Sequence, residues 1–314
     1  MAKKSTTGSF STIRLWIKRI VFVSLLLQVA FVIYFFFRVT AEMPDGGSQR
    51  MKLLLVLGVL ILLVLLYLFR WRKNEKVKTI VGRVFSFILY AHAAMLLYIV
   101  LLKWINPPLT LTQLSSWVSG HGLKRDYVNY SAISYNAKLA VISGEDQTFP
   151  DHNGFDWNAI KKSLNPSKKK RNKTKKIPPG AGASTISQQV AKNVFLWQGK
   201  SYVRKGLEAY FTFMIETVWG KERILDVYLN CIEMGDGIFG IEAAAQNYFN
   251  KPAAQLSRQE AAMIAACFPN PKRYTVKPVS SFVASKSGWI IQQMNNIESD
   301  DDIQELIRGS APGK

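Results

Sequence analysis

The residues most able to do chemistry sit in "SGEDQTFPDHNGFDW", Ser143 to Trp157, where Glu145, Asp146, Asp151 and Asp156 gather around Phe149 and His152. The surrounding chain has a formal net charge of +20, so a local cluster of acids needs a reason. Helical periodicity over Asn136–Asp146 places Glu145 at a helix C-terminus, where a carboxylate opposes the helix dipole and its pKa tends to rise. Phe149, four residues on, would exclude water. A desolvated carboxylate suits a general base or acid near neutral pH. A surface Glu in a turn fits the local pattern equally well, and at this level both readings stand. Asp156 reads as the cap of the helix in "DWNAIKKSL", and Asp151 as solvated. His152 has no second His nearby among the three in the chain, so a hydrogen-bonding role is expected rather than a zinc site.

Two further stretches complete the polar set. In "GAGASTISQQVAKN", Gly180 and Gly182 permit close backbone approach and a helix starts at Ser184 or Thr185, exposing N–H groups that suit a phosphate. Thr185, Gln189 and Lys192 share one face of that helix, and Ile186, Val190 and Val194 supply the apolar face. In "VRKGLEAY", Arg204 and Glu208 are i, i+4 neighbours with Lys205 between them. That spacing is worth only ~0.3–0.5 kcal/mol as an exposed salt bridge. It also makes a carboxylate flanked by cations. Two carboxylates suggest work at a glycosidic carbon, and the cations a phosphate leaving group.

The elements that position these residues are mainly helical. Amphipathic runs are expected at Ala183–Trp197, Ser201–Trp219 and Lys221–Asn230, and Ser257 with Glu260 forms a capping box before another helix. Upstream lie three uncharged apolar runs, about 20–37, 53–69 and 84–102, long enough to cross a bilayer. The first is read as a retained anchor rather than a cleaved signal, and Met51 as an alternative start. Lys3, Lys4, Arg14, Lys18 and Arg19 precede the first run, and Arg70, Arg72, Lys73, Lys76, Lys78 and Arg83 lie between the second and third. Positive-inside bias therefore puts the N-terminus in the cytoplasm and everything after the third run outside. Residues 1–104 are taken as the membrane region, 105–133 as a membrane-proximal connector, 134–294 as the catalytic domain and 295–314 as a polar, frayed tail. A mobile basic loop is expected at 161–182, with nine Lys or Arg between Lys161 and Lys176. Anionic lipid is its expected partner, not nucleic acid, because no aromatics interleave the lysines. Cys231 and Cys267 read as buried free thiols.

From about Ser134 to Met294 the chain resembles the peptidoglycan glycosyltransferases of glycosyltransferase family 51, the domain shared by monofunctional transglycosylases and class A penicillin-binding proteins. Five motifs in order carry the resemblance: "EDQTFPDHNGFD", "GASTISQQVAKN", "RKGLEAY", "KERILDVYLN" and "GDGIFGIEAAAQNYFNK". No acyl-serine domain follows, which favours the monofunctional type. The resemblance implies a lysozyme-like α-helical fold and polymerisation of lipid II, with inversion at the donor anomeric carbon and release of undecaprenyl diphosphate. Glu145 would be the general base and Glu208 the second catalytic carboxylate. Asp146, Phe149, His152, Thr185, Gln189, Lys192, Asn193, Lys200, Arg204 and Lys205 fall at the family's substrate-binding positions. Lys200 stands where relatives often carry Arg, which costs the bidentate fork. Tyr228, Asn230, Gly240, Ala244 and Lys251, in the last two motifs, look structural.

The resemblance further implies an enzyme of the bacterial inner membrane with a periplasmic catalytic domain, meeting lipid II, the growing glycan strand and other cell-wall synthesis proteins. No cofactor is required, although a divalent cation at the diphosphate would assist departure. Two of the three apolar runs exceed the family's usual single span. The alternatives weighed are a lysozyme-like lytic glycosidase, which has no need of a cationic diphosphate grip, and an inactive membrane scaffold, against which both intact carboxylates argue.

Overall fold

A computed structural model describes residues 6–41, 46–71, 73–164, 183–199 and 201–309. The chain divides into two compact units. The first contains α1 (Thr6–Ala41), α2 (Gly46–Leu66) and α3 (Glu75–Leu101), with a π-helical turn at Tyr67–Trp71 after α2. Three stretches here, Leu15–Ala41, Arg50–Arg70 and Glu75–Leu101, are long and apolar enough to cross a membrane. Their apolar side chains point outward, as lipid-facing helices require: Leu55 and Ile61 are both exposed. Phe22 of α1 meets Phe85 of α3 edge to face at 5.6 Å, and Arg50 Nε donates to Thr40 Oγ1 at 3.2 Å.

The second unit begins at Leu102. It holds α4 (Leu111–Val118), α5 (Tyr135–Glu145), the first turn of α6 (Trp157–Leu164), α7 (Ile186–Phe195), α8 (Tyr202–Val218), α9 (Lys221–Cys231), α10 (Ile241–Phe249), α11 (Arg258–Cys267), α12 (Ser281–Ile297) and α13 (Asp301–Arg308). A small sheet, β1 (Lys124–Arg125), β2 (Glu233–Gly235) and β3 (Ile238–Phe239), has the order β1-β3-β2, parallel for the first pair and antiparallel for the second. This is the mainly α architecture that the periodicity predicts.

The unit is built around two helices. α5 starts at Ser134, whose side chain accepts from the Ala137 N–H, and is packed by α11, α12 and α13. Ala137 to Ser143 are all buried, so α5 has no solvent face and shows no strong one-sided pattern. α7 packs on α8 and α9. Its cap is Thr185, which accepts from the Gln188 N–H while the Gln188 side chain returns to the Thr185 N–H. Gly240, at φ +85°, caps α10 where a Cβ would lie 2.6 Å from the Asn230 carbonyl oxygen, so the glycine is required for close packing. The box of Ser257 and Glu260 opens α11, and both cysteines are buried free thiols.

Three expected boundaries change. The region 105–133 is part of the folded unit: α4 carries its own capping box, Thr110 with Gln113, and packs on α7. Arg223 of α9 grips the start of the unit through the carbonyls of Leu102 and Ile105, at 3.0 and 2.8 Å, and Asn106 Oδ1 at 2.9 Å. The tail expected to fray folds instead into the end of α12 and all of α13, because Ile303, Leu306 and Ile307 recur at helical spacing and are buried. The buried ammonium of Lys138 donates to the Ile307 carbonyl at 3.1 Å, and the Tyr130 hydroxyl to Leu306 O at 2.8 Å. Finally, Lys161 and Lys162 lie in the last turn of α6, where cations complement the dipole, rather than in a loop. Asp156 caps α6 through the Ala159 N–H at 2.8 Å. Residues 165–182, the rest of the basic block, lie outside the described residues.

Candidate active site

Glu145 is the last residue of α5. The side chain is partly open, yet protein rings the carboxyl, and this burial raises its pKa. A hydrogen bond from Gln189, then the charge of Lys286, offset part of the rise; neighbouring Asp146 adds to it and Lys192 subtracts. Gln189 Nε2 donates to Glu145 Oε2 at 2.6 Å. The buried Tyr228 hydroxyl donates to Gln189 Oε1 at 3.0 Å, which turns the amide so that its NH₂ faces the carboxylate. Tyr228, expected to be structural only, thus belongs to the support of Glu145. Lys286, which no motif or spacing marks, also acts on Glu145; burial lowers its pKa and Glu145 raises it.

Asp146 and His152 form the next layer. His152 Nε2 lies 3.1 and 3.2 Å from the two Asp146 oxygens, and Asp146 Oδ2 also accepts the Ile186 N–H at 3.0 Å. The free N–H at the start of α7 is therefore taken by a protein carboxylate. Phe149 is fully buried and Thr185 nearly so, with Thr185 Oγ1 donating to Gly154 O at 2.7 Å. Asp146, Phe149 and Thr185, expected at the substrate, are buried and His152 is largely so, and hydrogen bonds within the protein engage Asp146, His152 and Thr185.

The cations gather on α7 and α8. Glu208 is almost wholly buried; Arg204 Nη1 donates to it at 3.0 Å and Lys205 pairs with it closely. Burial lowers the pKa of Lys192, Glu208 opposes that most strongly, Arg204 and Lys205 add to the lowering, and Glu145 again opposes it. Lys192 thus stands in the field of both carboxylates. Asn193 accepts from Thr112 Oγ1 at 3.3 Å and donates to Gln189 O at 2.8 Å, tying α4 to α7. Gln189, Lys192 and Asn193 line one wall of a cleft of about 350 Å³, faced by Ser115, Ser119 and Asn270. Lys200 lies outside the described residues. The structure thus brings together Glu145, Gln189, Lys192, Arg204, Lys205 and Glu208: one raised carboxylate, one carboxylate held by cations, and an open polar wall.

The profile of a family described as Transglycosylase matches residues 112–295. The chain belongs to this family. A biosynthetic peptidoglycan transglycosylase of Pseudomonas savastanoi pv. phaseolicola is 44% identical over 233 residues, 72% of this chain and 96% of the relative. Proteins of the same description from Shigella boydii serotype 4 and Escherichia coli are each 50% identical over 196 residues, 62% of this chain and 78% of each relative. The transglycosylase match starts within α4 and ends within α12, so it holds both carboxylates and the cationic face. Its fold is the lysozyme-like one the motifs implied.

Proposed function

We propose that this peptidoglycan glycosyltransferase of cell-wall synthesis works by base-assisted, inverting transfer from a lipid-linked donor. The carrying observation is the pairing of Glu145, its pKa raised by burial and its carboxylate aimed by Gln189, with the cations of α7 and α8. Glu145 takes the proton from the acceptor 4-hydroxyl of lipid II. That oxygen attacks the anomeric carbon of the growing strand from the face opposite the diphosphate. The carbon–oxygen bond to undecaprenyl diphosphate breaks, and Lys192, Arg204 and Lys205, joined by Lys200, offset the charge that develops. Glu208 keeps Arg204 and Lys205 in place and supports Lys192 as a cation.

Among the described residues no group of His, Cys, Asp or Glu is placed to cage a divalent cation at the diphosphate. The residues facing the leaving group are cations, and Glu208 is already spent on two of them.

The charge bias around the three apolar helices supports a cytoplasmic N-terminus and a periplasmic catalytic unit at the inner membrane, facing anionic lipid and other cell-wall synthesis proteins. The deciding experiment incubates purified protein with labelled lipid II and compares wild type with Glu145→Gln. Polymer from wild type alone supports the reading. Polymer from both removes Glu145 as base, polymer from neither removes the synthetic role, and shortening of preformed glycan favours a lytic one.

A further inference from the structure

The segment after Glu145 is gripped from three helices. Glu216, in the last turn of α8, accepts at Oε1 from Ser187 Oγ of α7 at 2.5 Å and from Lys221 Nζ of α9 at 2.7 Å. The same ammonium donates to the His152 carbonyl at 2.5 Å and lies 4.5 Å from the centre of the Phe149 ring. Gly154, at φ +85°, sits so close to α8 that a Cβ would lie 2.6 Å from Thr212 Cγ2 and 3.0 Å from Glu216 Cγ. Both charged side chains are largely withdrawn from solvent, at 19% exposure for Lys221 and 8% for Glu216. A buried ion pair is weak support for stability, since desolvation offsets most of its attraction. What the pair does do is direct one ammonium onto two residues of the segment that carries His152.

We propose that Lys221, oriented by Glu216, is a positioning residue for the transfer reaction. Its ammonium holds the His152 carbonyl and the Phe149 ring. That sets the imidazole against Asp146, and Asp146 in turn joins the end of α5 to the start of α7 beside Glu145. The inference rests on Glu145 as the base, and it assigns to the fourth motif a part in catalysis as well as in packing.

The test uses the full chain in detergent with labelled lipid II. Lys221→Met alone leaves Glu216 buried without its cation and is expected to lower the melting temperature. The double variant Glu216→Gln with Lys221→Met removes both charges and so relieves that penalty. Leu256→Ala, a buried position whose carbonyl meets Asn136 at the start of α5, the end opposite Glu145, supplies a purely destabilised comparison. All are assayed at a temperature where circular dichroism finds each one folded. A misplaced catalytic group costs about tenfold or more in kcat, so the double variant is expected to lose that much, with KM within about twofold, while Leu256→Ala keeps its kcat. Equal kcat losses in the double variant and Leu256→Ala, or wild-type kcat in the double variant, overturn the positioning role. Glu145→Gln, run alongside, reports separately on the base: polymer from that variant removes the base reading whatever Lys221 does.

Discussion

Gln189 and Glu145, forty-four positions apart, meet in a 2.6 Å hydrogen bond at the point where α5 ends and α7 passes by. Family position alone put Gln189 on the substrate. Its geometry makes it first a holder of the base. Replacing it with Leu removes the contact that lowers the Glu145 pKa. The carboxyl then rises further, and the base must be ionised to act, so the acidic limb of the kcat/KM profile moves to higher pH. A rate loss of roughly tenfold at neutral pH accompanies it. An unmoved acidic limb in Gln189→Leu counts against this link.

Tyr228 orients that amide. In Tyr228→Phe the ring still fills its buried site, but Gln189 loses the donor that fixes which end faces Glu145. The stability cost is about 1 kcal/mol, that of one buried hydrogen bond. Steady-state rates fall several-fold, and the acidic limb shifts in the same direction as for Gln189→Leu, by less. Stability lost with no change in the profile makes Tyr228 structural alone.

The alkaline side belongs to Lys192. Burial lowers its pKa, and Glu208 is the strongest influence holding it up. As pH rises through that pKa the cation is lost, and with it part of the grip on the diphosphate. Glu208→Gln removes the support, so the alkaline limb moves to lower pH. Bell-shaped profiles of wild type and variant, measured side by side, give the sign directly; a shift to higher pH contradicts the assignment.

α13 braces the helix that carries the base. Ile303 is buried at 2% exposure, and Lys138 of α5 and Tyr130 just ahead of that helix donate to the last carbonyls of α13. Ile303→Ala is expected to cost about 2–3 kcal/mol, read as a lower urea midpoint with an unchanged slope. A change below a few tenths would return residues 295–314 to the frayed tail that their polarity suggests.

Much of this was legible in the chain itself. Thr185 as cap, Asp156 at α6, the box of Ser257 and Glu260, and Glu145 at a helix end all follow from rules that link residues three or four apart. The three apolar helices follow from uncharged length. The ordered motifs named the family. What local rules misjudged was the fate of short polar stretches. α13 reads as an acidic tail until α5 offers a surface to its three apolar residues, and 105–133 reads as a connector until Arg223 reaches back to it.

The sequence by itself therefore determined which residues carry charge, which helices carry them and in what order they come. Only the tertiary structure decided that Gln189 serves Glu145, that Asp146 closes the start of α7, and that Tyr228 and Lys221 stand behind the site. These links join residues 39 to 69 positions apart. No periodicity or capping rule reaches that far, because the partners meet only when helix packing buries both and leaves each the other's polar group to satisfy.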